Sequence, residues 1–289
     1  MKKSLLIVST FIISLAACER INSDNYSDPI LKIGDNLVYS HNDFELYDSS
    51  SHILYFKSSH SEISDSKQSS FAFYVDSLKI YQGSFWPSYS SSLPTDPFIS
   101  SFPFFYQDYV LRIGFIFFDQ GKADPRNDDR LISAFKNHDL LHSGLSGEIK
   151  SIVKNGSQVT FSFVVTNRDQ SNLLILDPDK MGPKLFHYFT NAPVFYNITQ
   201  KKVYSANTDY QTPSPWNSWN IGWLSLLKSG DSRQFTFNYT IDSPLSPGEY
   251  KVSYEFPGLS NQVTKDQLYQ DNKRIWLGDI QLTKIMTVQ

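Results

Sequence analysis

Val159-Thr-Phe-Ser-Phe-Val-Val-Thr166 and Gln234-Phe-Thr-Phe-Asn-Tyr239 alternate apolar with polar side chains. A period of two is the signature of a strand with one face buried and one face wet, and aromatic and β-branched residues fit that pleated surface. Moving outward, Asn167 to Ser171 is a polar turn and Leu173 to Leu176 is apolar again, which predicts two strands joined around that turn. Pro193 to Thr199 and Lys202 to Ser205 flank Gln200-Lys201, a hairpin pattern. Ser246-Pro247-Gly248 turns into a run from Tyr250 to Phe256, and Arg274 to Ile285 alternates around Gly278, where a bulge or a close backbone approach is expected. Seven or more short strands in this half predict a β-sandwich.

Between Ile33 and Leu145 the pattern is less regular. Phe44 to Tyr47, His52 to Phe56, Phe71 to Val75, Lys79 to Tyr81 and Tyr109 to Phe118 read as strands, with Ser- and Pro-rich stretches at 58–70 and 84–101 as loops. One segment has helical features. Asp124 to Asp129 offers capping side chains, apolar residues recur from Leu131 to Leu141, and Gly144 supplies a stop. Aromatic residues make up 15% of the chain, with 22 Phe and 17 Tyr, which tilts composition further toward strands. The fold class expected is mainly β: a mixed, mostly β domain over 33–144 with a helix near 126–142, then an immunoglobulin-like β-sandwich over 145–289.

At Ser229-Gly230-Asp231-Ser232 and Pro247-Gly248-Glu249-Tyr250, each leading into an alternating strand, the second half resembles the immunoglobulin-like domain of the bacterial intracellular proteinase inhibitor family. That resemblance covers residues 145 to 289. It implies a fold and, by analogy, inhibition of an extracellular protease.

The start of the chain carries an address. Lys2 and Lys3 precede an apolar run from Leu5 to Leu15 and then Leu15-Ala16-Ala17-Cys18. The run is shorter than the roughly 20 residues that span a bilayer, so it reads as a leader. Small residues before a cysteine resemble the lipobox of bacterial lipoproteins. The resemblance implies a signal peptide over 1–17, cleavage between Ala17 and Cys18, and diacylglyceryl lipid on Cys18, followed by a lipidated N-terminus and tether over 18–32. The expected location is therefore the cell envelope, anchored to a bacterial membrane, by preference the outer one, and facing periplasm or cell surface. Cys18 is also the only cysteine, so no internal disulfide is available.

The formal charge is −3. Loss of residues 1–17, with their two lysines and no acids, makes it −5, and the basic clusters that accompany phosphate-backbone binding are missing. Nucleic acid is excluded as an expected partner. Two local constellations stand out. His138 and His142 sit four apart around Asp139, a spacing that on a helix would present two imidazoles on one face for zinc. Tyr210, Trp216, Trp219 and Trp223 crowd a Pro- and Asn-rich stretch that predicts a long connection able to stack on a sugar or grip a protein. No nucleophile elbow or phosphate loop is present, and no cofactor is implied. The leading expectation is a non-enzymatic envelope lipoprotein that contacts lipid through Cys18 and binds a protein or a glycan. A metal-dependent hydrolase using His138 and His142 is the rival.

Overall fold

A computed structural model describes residues 28–65, 70–101, 106–116, 123–260 and 262–289. The leader, Cys18 and residues 18–27 of the tether lie outside the described residues, as do Phe117 and Phe118 at the end of one expected strand.

The first half contains β1 (Pro29–Ile33), β2 (Leu37–Ser40), β3 (Phe44–Asp48), β4 (Ile53–Phe56), a short helix α1 (Ser61–Asp65), β5 (Ser70–Val75), β6 (Leu78–Trp86), β7 (Phe98–Ser100), β8 (Val110–Arg112), helix α2 (Asp129–Asn137) and β9 (Leu141–His142). They form a five-stranded sheet, β2-β1-β5-β6-β7, and a four-stranded sheet, β8-β4-β3-β9. Leu31, Ile33, Phe71 and Phe73 of the first sheet share a core with Tyr47, Leu54 and Leu111 of the second. Helix α2 packs Leu131, Ala134 and Phe135 into the same core, with the Phe135 ring stacked 4.5 Å from Tyr47.

The second half runs β10 (Leu145–Asn155), β11 (Gln158–Asn167), β12 (Leu173–Leu176), α3 (Pro178–Met181), α4 (Pro183–Phe186), β13 (Val194–Asn197), β14 (Lys202–Asn207), β15 (Leu224–Leu227), β16 (Ser232–Ile241), β17 (Gly248–Pro257), β18 (Tyr269–Gln270), β19 (Lys273–Ile275) and β20 (Asp279–Val288). A seven-stranded sheet, β10-β11-β16-β14-β13-β17-β20, turns a corner where β14 meets β16 through only Ala206 and Asn207. The bend brings two layers face to face. Phe161 and Phe163 of β11 meet Tyr254 of β17 with ring centroids 5.1 and 4.9 Å apart, and Phe235 stacks on Phe256. The edges also approach, since Lys284 of β20 donates to the carbonyls of Ile149 and Lys150 on β10. A smaller sheet, β15-β12-β19-β18, completes this half. The chain is thus mainly β, with a sandwich-like second half.

Strand β4 explains how the halves join. All four of its residues are buried, because Leu54 and Phe56 face the first core while Ile53 and Tyr55 face the second. Leu46, Tyr109 and Val110 also join the second core from the first half. The four-stranded sheet is therefore walled by apolar groups on both faces. Across the same seam, Arg274 of β19 is buried and donates to Asp169 at 2.8 Å and to Asp48 of β3 at 3.3 Å, with its guanidinium over the Tyr55 ring. His142 Nδ1 lies 2.9 Å from Asp169. Burial works against ionising Asp169, yet the His142 contact and the Arg274 charge hold its carboxyl well below the usual range.

Several sequence expectations are corrected. Strands β11 and β12 do not pair with each other: β11 lies between β10 and β16, and β12 between β15 and β19. The run from Arg274 to Ile285 is not one strand but breaks at Trp276-Leu277-Gly278, while the close approach expected at Gly278 is present, since a Cβ there would sit 2.3 Å from Ser51 Oγ. Helix α2 stops at Asn137, short of the expected 142. Asp139 takes a left-handed φ of 57°, its N–H donates to the Lys136 carbonyl, and Leu140 N–H reaches back to Phe135, which is a Schellman ending built on Asp rather than Gly. Gly144 has no part in that stop. It lies between β9 and β10 at φ 58°, against Asp48 and Ser50.

Candidate ligand-binding cleft

Strands β17 and β20 pair with Glu255 opposite Gln281 and Pro257 opposite Asp279. Alternation sends Tyr254 and Phe256 into the sandwich core, so Glu255 turns to the opposite face, and register puts Asp279 diagonally across from it. Facing them is the end of β8. Arg112, whose neighbour across the ladder is Ile53, reaches over the seam and donates from Nη2 to Asp279 Oδ1 at 2.5 Å. Gln281 Nε2 donates to Glu255 Oε2 at 2.5 Å. These groups line a cleft of about 880 Å³ between the four-stranded sheet and the β17–β20 ribbon, with Tyr106, Phe98, Phe115 and Phe189 among its walls.

The electrostatics are uneven. Two carboxylates share one guanidinium. Burial pushes the Glu255 carboxyl up, the Asp279 charge adds to that, and Arg112 opposes it. Burial also pushes Asp279 up while Arg112 pulls the other way. The Tyr106 hydroxyl is raised by burial beside the same guanidinium. Arg112 Nε is buried with no hydrogen-bond partner among the described residues, and Ser51 Oγ, on the same cleft wall, is likewise unmatched. Both are polar atoms on the cleft wall with which a bound hydroxyl or carboxylate could pair.

The inner wall holds His52 and Arg126. Tyr47 Oη and His52 Nδ1 are hydrogen-bonded at 2.7 Å, which leaves the Nε2 side toward Asp124 at 3.6 Å. Burial, followed by the Arg126 charge, lowers His52 to about 3, so the ring is neutral and supports the wall without carrying charge. Arg126 is itself held by Asp124 and by the Ile113 carbonyl.

The residues singled out from sequence lie elsewhere. His142 is on β9 beside Asp169, and His138 is the C-cap of α2 with Nε2 3.1 Å from Asp28, so the two do not share a helix face. The long connection between β14 and β15 does carry the aromatic residues, but they divide. Tyr210 and Trp216 are exposed, whereas Trp219 and Trp223 pack on the large core, with Trp219 donating to Gln267 Oε1. Arg112, Glu255 and Asp279 carry no motif. The one local signal is an acid inside the aromatic strand Tyr254-Glu-Phe256.

No family model and no curated protein matches the chain.

Proposed function

We propose that the protein is a lipid-anchored binding module of the bacterial envelope that takes a short glycan in the cleft between its two halves. The observation that carries this reading is the convergence of Arg112, Glu255, Asp279 and Gln281, with two unmatched buried donors, on one side of an aromatic-walled cleft of about 880 Å³. Concave, largely preformed pockets of this size at such junctions suit small ligands. Fixed donors and acceptors read hydroxyl groups, and ring faces cover the apolar side of a sugar. Anchoring rests on the lipobox resemblance at Leu15-Ala-Ala-Cys18. Two or more acyl chains give stable attachment, and no helix among the described residues is long and apolar enough to cross a membrane.

Glycan-array binding of the purified full chain, followed by calorimetric titration with a retained oligosaccharide, tests the cleft. Arg112→Lys and Glu255→Gln should each weaken retention at least tenfold while Trp216→Ala leaves it unchanged. Variants with native circular dichroism and an unaltered array profile would refute the site. Incorporation of labelled palmitate, abolished by Cys18→Ser, tests the anchor.

A second reading follows from Glu255. A carboxyl raised by burial next to another carboxylate is the arrangement that general acid catalysis of glycoside cleavage uses. Release of reducing ends from the retained oligosaccharide, lost in Glu255→Gln, would favour it over binding alone.

A further inference from the structure

Three groups that take no part in lining the cleft converge at the start of β1. Asp28 immediately precedes β1. His41 follows β2, and His138 caps α2. Asp28 Oδ1 lies 2.9 Å from His41 Nδ1 and 3.1 Å from His138 Nε2, and the two imidazoles stack with centroids 3.9 Å apart. One ligand atom from each residue lies within 4.8 Å of the other two. His41 Nδ1 is buried and, despite its distance from Asp28, is out of line for a hydrogen bond. The backbone around Asp28 is fixed: its N–H donates to Asp76 Oδ1 and its carbonyl accepts from Asp76 N–H.

From this cluster we infer a divalent-metal site, with His41, His138 and Asp28 as ligands and zinc as the ion the donor set suits best. Two neutral imidazoles and a carboxylate form a set that zinc accepts in tetrahedral geometry, with water in the fourth position. A hydrogen-bonded pair would need only one histidine on the carboxylate. Here two ring nitrogens approach the same oxygen, and one of them makes no proper hydrogen bond, an arrangement that an ion placed among the three atoms would satisfy. Binding requires the rings to tilt out of their parallel stack so that their lone pairs converge. Both rings are about a quarter exposed and sit at element ends, where that rotation is open to them. The bound ion ties the start of β1 to the β2–β3 turn and to the end of α2. It acts as a clamp on the point where the tether joins the body. His142, the partner suggested by sequence spacing, takes no part.

Isothermal titration of the purified full chain with zinc chloride alone is the test. One equivalent should bind with micromolar or tighter affinity, and saturation should raise Tm by several degrees, reversed by chelator. His41→Ala and His138→Ala should each lower affinity at least tenfold, while His142→Ala and Cys18→Ser bind like the parent chain. Asp28→Asn, at a half-exposed side chain, keeps the test valid should a histidine variant lose its fold, and it should show the same loss. The inference is overturned by the absence of saturable zinc binding, by binding that survives in folded His41→Ala and His138→Ala, or by binding that disappears with Cys18.

Discussion

Two titratable residues in the cleft bear opposite pH signatures. Glu255 has its folded-state pKa raised, so its favourable contribution is complete below the unfolded value near 4.5 and is lost as pH rises through the folded value. Glu255→Gln should therefore raise Tm by on the order of 1–3 °C at pH 7.5 and leave it nearly unchanged at pH 4, even as the cleft loses ligand; paired thermal melts at the two pH values check this. His52 behaves in the reverse sense. Its pKa is lowered to about 3 from an ordinary 6.5, so the stability it confers is present above pH 6.5 and drains away as pH falls toward 3. Urea titrations from pH 7 to pH 4 should show a loss of about 2–4 kcal/mol traceable to this ring, and His52→Asn, whose side chain tolerates the φ of 53° at this position, should flatten the slope. Neither residue announces itself in sequence. Arg112 and Asp279 are 167 positions apart, and only the folded register makes them neighbours.

Elements were far more legible than sites. The strands around Val159–Thr166, Gln234–Tyr239 and Tyr250–Phe256 stand where alternation puts them, because each has one face on a core and the pattern records that face directly. Pairing was not legible in the same way. A polar turn between two apolar runs looks identical whether the second run folds back on the first or departs to another sheet, as β12 does. Helix α2 is legible in its capping residues and apolar spacing but not in its end, since a left-handed Asp gives a weaker stop signal than Gly, and His142 lies on a strand beyond it. Packing at the element scale sets a further expectation. Phe163 touches rings from β11, β16 and β17 at once, so Phe163→Ala should cost about 3–5 kcal/mol by chemical denaturation, against under 1 kcal/mol for the exposed Val153→Ala on β10.

For the whole molecule, the buried Arg274 holds two carboxylates from opposite halves. Arg274→Ala strands Asp48 and Asp169 without their cation and should destabilise by about 3–5 kcal/mol, with the unfolding midpoint as readout. The alternation that becomes regular after residue 145 points to a boundary at 144/145, and the chain does change sheets there, but that pattern says nothing about how much surface crosses it. What crosses it is Ile53 and Tyr55 of β4, seated in the second core while their chain neighbours sit in the first. A wall common to two rooms cannot be removed from one of them alone. A calorimetric scan should accordingly give a single transition whose van't Hoff and calorimetric enthalpies agree. Separate expression of residues 28–144 and 145–289 should yield two sticky, dye-binding fragments, because each would be born with an open apolar flank that only the other can close.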